Sequence, residues 1–252
     1  MKKLLFVFTP ITLLACIAPA LSAAETETER VSRTLRLDPG GTLHLKSFSG
    51  RVNITGTDGN EVVINAERRA TRDRLDHIRL DIRGDSSAVY VEANKRDSWW
   101  NTHNNVVLTD FDIRVPRRTN IDVNVFSAPV TVTGVEGSFK VGGFSSRIRL
   151  EDATGPIKVH TFSGSVDIKA AKWQERQNVD IDTFSGHVTL RVPESARGLV
   201  TFNSFSGHLN SELPLTLRSG GRRSLRAELG QDGQSGGTLR FKTFSGSVRI
   251  DR

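Results

Sequence analysis

Seven copies of one tripeptide pattern constrain this chain more than any other feature. They are Phe48-Ser49-Gly50, Phe126-Ser127-Ala128, Phe144-Ser145-Ser146, Phe162-Ser163-Gly164, Phe184-Ser185-Gly186, Phe205-Ser206-Gly207 and Phe244-Ser245-Gly246. From Phe126 onward the steps are 18, 18, 22 and 21 residues, then 39. Self-similarity at a nearly fixed short period marks stacked repeat units. The last step equals two units, which implies a corner between Phe205 and Phe244 that has lost its signature.

Each tripeptide sits between two alternating segments. Counting forward from Ile157 places Ile157, Val159 and Thr161 on the inner face. Counting back from Ile168 places Ile168, Val166, Gly164 and Phe162 there, because strand side chains alternate with period two. The phases collide at Thr161-Phe162, so the chain must bend or bulge there. On this reading the Phe ring points inward and Gly164 leaves room beside it. One unit of about 20 residues buries too little apolar surface to stand alone. Stacking shares hydrogen bonds and closes the core between neighbours. The expected fold is therefore all-β: a single-domain parallel β-solenoid with about 18–22 residues per rung and irregular, wider N-terminal rungs.

Stacking also predicts outward ladders. Lys158 should neighbour Asp180, His160 should neighbour Asp182, and Arg149 should neighbour Asp167. These pairs read as structural charge ladders rather than acid–base machinery. His187 and His208 both follow a corner glycine and should stack, but two histidines do not complete a zinc site.

The N-terminus sets the expected compartment. Met1-Lys2-Lys3 precedes an uncharged run from Leu4 to Leu21, and Ala20-Leu21-Ser22 and Ser22-Ala23-Ala24 offer small residues for cleavage. This pattern reads as a secretory signal peptide. Two outcomes stay open: cleavage near Ala23 or Ala24, or lipidation of Cys16 within Leu13-Leu14-Ala15-Cys16. Cys16 is the single cysteine, so no intrachain disulfide is expected to support the fold. The expected organisation is a signal peptide over 1–24, a linker over 25–36 and the repeat domain over 37–252. The formal charge of +7 is spread among interspersed acids. Outside the cytoplasm, such a chain meets anionic headgroups and acidic glycans before nucleic acid.

Residues 57 to 120 break the repeat yet stay β. Val62-Val63-Ile64, the alternation Ile78, Leu80, Ile82, the return from Val89 to Ala93 and the run Phe111 to Val115 each read as strands. A polar loop from Asp97 to Asn105 carries Trp99, Trp100 and His103. The tryptophans form either a lid over an open end of the stack or a platform for sugar rings. Ala170 to Gln177, with Trp173, reads as a loop or one helical turn. Leu217 to Gly237 reads as a basic loop carrying Arg218, Arg222, Arg223 and Arg226, either solvated or gripping phosphates. The candidate ligand surface is Trp99, Trp100, Arg222 and Arg223.

From Leu43 to the C-terminus the chain resembles the bacterial "putative adhesin" family of β-strand-repeat domains of unknown function. The resemblance rests on Ser49-Gly50-Arg51-Val52-Asn53-Ile54, on the Val-Pro steps at Val115-Pro116 and Val192-Pro193, and on the terminal Ser245-Gly246-Ser247-Val248-Arg249-Ile250. Phe before each Ser-Gly is more regular than the family's usual pattern, and Ala128 and Ser146 replace the corner glycine. The resemblance implies a solenoid and an extracytoplasmic site, and it brings no agreed catalytic or binding residues.

Three functional classes compete. The first is a non-catalytic envelope module presenting a β-surface to a protein or a glycan. The second is a carbohydrate-active enzyme, which needs clustered carboxylates; Asp180 and Asp182 share a face, but Lys158 and His160 are their neighbours and no third acid joins them. The third is a metal site at His187 and His208. No nucleophile elbow, phosphate-binding glycine loop or zinc-protease helix is present. The expectation is a non-enzymatic module with no cofactor and no nucleic-acid partner, touching membrane only if lipidated at Cys16.

Overall fold

The computed structural model describes residues 25–96, 106–170, 172–230 and 236–252. Within them the chain forms a single 17-stranded sheet and one short helix. The N-terminal part comprises β1 (Thr26–Arg36), β2 (Thr42–Ser49), β3 (Val52–Thr57) and β4 (Glu61–Thr71). Helix α1 (Arg72–His77) follows, then β5 (Ile78–Gly84), β6 (Ala88–Arg96) and β7 (Leu108–Pro116). The repeat region holds β8 (Asn120–Ser127), β9 (Val130–Thr133), β10 (Phe139–Glu151), β11 (Ile157–Lys169) and β12 (Asn178–Arg191). The chain ends with β13 (Gly198–Ser204), β14 (His208–Ser211), β15 (Leu215–Gly220), β16 (Ser224–Leu229) and β17 (Gly237–Asp251).

The long strands β10, β11, β12 and β17 each bend at their Phe-Ser-(Gly/Ser) corner into two arms. Elsewhere the corner splits the arms into separate strands, as in β2 and β3 or β8 and β9. The first arms stack parallel in the order β6, β2, β8, β10, β11, β12, β17, β13. The second arms stack parallel as β7, β3, β9, β10, β11, β12, β17, β14. Parallel bridges from Arg118 to Glu136 to Thr154 align the return segments. Alternation directs one row of each strand to the shared core. Val123, Val141, Val159, Ile181, Phe241 and Phe202 are register neighbours in turn, and all are buried.

Other parts of the sheet are antiparallel. The pairs are β1 with β4, β4 with β7, β5 with β6, β13 with β16 and β15 with β16. The parallel β-solenoid expected from the repeat is thus a parallel stack flanked by antiparallel hairpins and edges, in the C-terminal part as well as in the irregular N-terminal part. Residues 26–36 are not a linker. They form β1, which pairs with β4 along its full length while Val31 and Leu35 pack against the core. Buried Arg68 of β4 donates to the Glu29 carboxylate of β1 and to the Ile78 carbonyl, tying that edge to β5.

Two further expectations are corrected. No corner is missing between Phe205 and Phe244. The chain continues through β13 and β14, reverses through the β15–β16 hairpin, and inserts β17 between β12 and β13. The final strand therefore completes the stack from within. The second correction concerns the rings. Thr161 is buried and Phe162 is exposed, as is every other corner Phe. The phase of the incoming arm wins, and the switch falls one step later, over Ser163 to Ser165. The glycine serves the backbone instead of the ring. A Cβ on Gly164 would lie 1.9 Å from the Ser146 carbonyl oxygen, and one on Gly186 would lie 2.0 Å from that of Gly164. At these two corners the neighbouring backbone comes too close for a side chain, whereas the Ala128 and Ser146 corners accommodate one, the Ser146 hydroxyl accepting from the Ala128 N–H.

Candidate functional site

The outward corner rings form a single column. In spatial order they are Phe48, Phe126, Phe144, Phe162, Phe184, Phe244 and Phe205, with centroids 4.7–4.9 Å apart and planes within 10° of parallel. The spacing is the distance between hydrogen-bonded strands, so the backbone register imposes the stack. Each ring keeps 40–52% of its surface exposed. Six such steps give a stripe roughly 29 Å long. The ring faces cover each other, leaving mainly ring edges toward solvent. At one end the Arg223 guanidinium lies 4.2 Å from the Phe205 centroid, a favourable cation–π placement.

Beside the column runs the row of residues two positions before each Phe. His160, Asp182 and Lys242 line a depression of about 500 Å³ together with Gly143, Phe162, Phe184 and Phe244. Small side chains make room there: Gly143 takes the place held by Thr161, Thr183 and Thr243 in the neighbouring strands. Lys242 Nζ lies 3.5 Å from the Asp182 carboxylate.

The predicted ladders occur in register. Lys158 neighbours Asp180, His160 neighbours Asp182 and Arg149 neighbours Asp167. The charge contacts choose other partners: Arg191 binds Asp167 at 2.6 Å, and Lys140 reaches Asp122 at 3.3 Å. His187 and His208 do not stack on each other. Ser247 of the inserted β17 separates them, and His187 Nδ1 lies 2.6 Å from its hydroxyl. Among the described residues, no group of three or more His, Cys, Asp or Glu side chains is placed to hold a metal ion.

The basic loop is a hairpin. Arg218 lies in β15 and Arg226 in β16, with Arg222 and Arg223 exposed at the turn between them. Arg218 hydrogen-bonds Glu228 at 2.6 Å and holds that carboxyl below the usual carboxylate range. Arg222 and Arg223 are thus close in space, with Arg223 on the column. Trp99, Trp100 and His103 lie outside the described residues, as does Cys16. Trp173 is a core-packing side chain whose indole N–H donates to the Arg197 carbonyl at 2.8 Å. The alignment of the corner rings into one column follows from the stacking expected of the repeat; their exposure escaped the sequence reading, although counting forward from Ile157 already placed Phe162 outward.

Among the described residues, no helix is long and apolar enough to cross a membrane. No curated protein matches the chain in sequence. Among solved structures, the chain resembles a "putative cell adhesion protein" from Clostridium sporogenes with a TM-score of 0.50. Identity is 13%, over 88% of this chain and 99% of that one. A "putative adhesin" from Bacteroides fragilis aligns with a TM-score of 0.39 and 7% identity, over 88% of this chain and 97% of that one. At 13% identity the first of these likenesses speaks for the fold alone. The Toastrack DUF4097 family model matches residues 26–251, a span that opens on the first residue of β1 and closes on the last of β17. The chain belongs to the Toastrack DUF4097 family.

Proposed function

We propose that this protein is an exported, non-catalytic module of the bacterial envelope, an adhesin-like solenoid whose phenylalanine column is its contact surface. One observation carries the reading: seven stacked rings stay 40–52% exposed along one continuous line. Contiguous exposed apolar surface marks an interaction site. The rings spend their faces on each other and offer edges, which suits an extended apolar partner better than a sugar stacked on an aromatic face. The non-catalytic part is supported by the carboxylates. Asp182 is engaged by Lys242, and Asp180 stands between Lys158 and Arg240 in register. Export is supported by the basic, apolar and small-residue order of residues 1–24.

The test uses a neutral apolar dye, Nile red, with the purified chain. The expected result is a fluorescence gain that the Phe162→Ser/Phe184→Ser variant loses several-fold. An equal gain in a variant that retains its circular dichroism spectrum rules the column out as the contact surface. N-terminal sequencing of the protein recovered from a bacterial host tests export; an intact Met1 would contradict it.

A further inference from the structure

We infer that the C-terminal strands bind an anionic amphiphile, with its phosphate-type head in a basic groove and its acyl chain along the phenylalanine column. The inference rests on the contact-surface reading above and adds the chemical class of the ligand.

The groove lies on the outer face of β13, between β16 and β17. Its floor is Leu199, Thr201 and Asn203, and its walls carry Ser224 and Arg226 on one side and Arg240 and Lys242 on the other. Its volume is about 610 Å³. Thr201 pairs with Arg226 in one direction and with Arg240 in the other, while Asn203 pairs with Ser224 and Lys242. Two strand spacings separate the walls by about 10 Å at the backbone. Long guanidinium arms can therefore close on an oxyanion seated over the Thr201 hydroxyl. Arginine forks match phosphate geometry and form strong charge-assisted hydrogen bonds.

The charge balance favours an anion. Among the described residues, Arg226 and Arg240 make no ion pair or side-chain hydrogen bond. The acids nearby are Glu228, held by Arg218, Asp182, held by Lys242, and Asp180, in register with Arg240. Arg223 adds a further cation over the terminal ring of the column.

The groove and the column are continuous. Lys242 lines both the basic groove and the apolar depression beside Phe162, Phe184 and Phe244. A head fixed over Thr201 leaves its tail directed past Lys242 onto the ring edges. A small phosphate uses the groove alone, and a neutral lipid uses the column alone. Only a ligand with both parts uses the whole surface.

The experiment is calorimetric titration of the purified chain with dodecyl phosphate below its micellar concentration, beside inorganic phosphate and dodecyl maltoside. Dodecyl phosphate should bind at least about tenfold tighter than either control. Arg226→Gln/Arg240→Gln should weaken it by about tenfold or more, the scale of a lost charge-assisted hydrogen bond. Phe162→Ser/Phe184→Ser should weaken it similarly. Should the serine pair fail to fold, Lys242→Gln at the junction carries the same expectation. If dodecyl maltoside binds as tightly as dodecyl phosphate and only the Phe variant loses it, the groove assignment is overturned while the contact surface stands. If inorganic phosphate binds equally well and the Phe variant is unaffected, the site is a plain anion site and the amphiphile is overturned. Absence of all binding overturns both.

Discussion

Replacing Gly164 with alanine tests the packing of the corners. The glycine has φ +142°, and a Cβ there would meet the Ser146 carbonyl oxygen at 1.9 Å. Ordinary contact begins at 3.4 Å, so the two strands must separate by about 1.5 Å locally, a displacement that close packing resists. Ser146 and Gly164 are register partners within a continuous parallel ladder. Separation on that scale breaks about two ladder hydrogen bonds, each contributing about 1 kcal/mol net. Holding a non-glycine residue at this φ costs about 1–3 kcal/mol more. The sum is on the order of 3–5 kcal/mol. For a domain of this size each kcal/mol moves the melting temperature by about 2–4 °C, so thermal unfolding followed by circular dichroism should drop by about 10 °C. Gly221→Ala is the control: its Cβ meets nothing within 4 Å, and the change should stay within about 0.5 kcal/mol. A Gly164→Ala protein melting alongside Gly221→Ala would refute the claim that a neighbouring carbonyl dictates the corner glycine.

Three further outcomes follow from the same geometry. Phe162→Ala removes two ring contacts, at 4.9 and 4.8 Å, each contributing about 0.5–1.5 kcal/mol; the urea midpoint should fall accordingly, and an unchanged midpoint would show the column to be energetically idle. Arg68→Ala strips the Ile78 carbonyl and Glu29 of a buried partner and should cost about 2–3 kcal/mol in chemical denaturation; a neutral result would contradict the anchoring of β1. The Asp81 carboxyl is held below its ordinary value chiefly by its hydrogen bond from Lys95. Its contribution is present above the ordinary carboxylate range and lost as pH falls through the depressed value. Asp81→Asn should therefore flatten the acid limb of the stability profile, and an identical limb would count against it.

The strands and their ladders were readable because period-two alternation is local. Ile157, Val159 and Thr161 declare an inner face, and equal offsets from successive Phe residues align Lys158 with Asp180 without further information. The facing of the rings was misread because the two arms disagree at the corner and nothing local says where the switch falls. The outcome shows only once the strands are stacked, and those neighbours are far away in sequence. The insertion of β17 was hidden for the same reason: a gap of 39 residues fits a lost corner as well as a detour through a hairpin. Strand β1 carries only Val31 and Leu35 as partly buried apolar residues amid charged ones, too faint an alternation to announce an edge strand. The basic groove joins residues from β13, β16 and β17, so it exists only once the insertion is known.

The order of the column can be tested by cysteine cross-linking. In a chain starting at residue 25, which contains no cysteine, Phe184→Cys/Phe244→Cys places thiols on adjacent strands, about 4.8 Å apart at the backbone. Phe184→Cys/Phe205→Cys places them two strands apart, about 10 Å, beyond disulfide reach. Mild oxidation should close the first pair and leave the second open. Closure of 184 to 205, with 184 to 244 remaining reduced, would mean that the strands stack in sequence order and that the aromatic column and basic groove described above do not exist in this form.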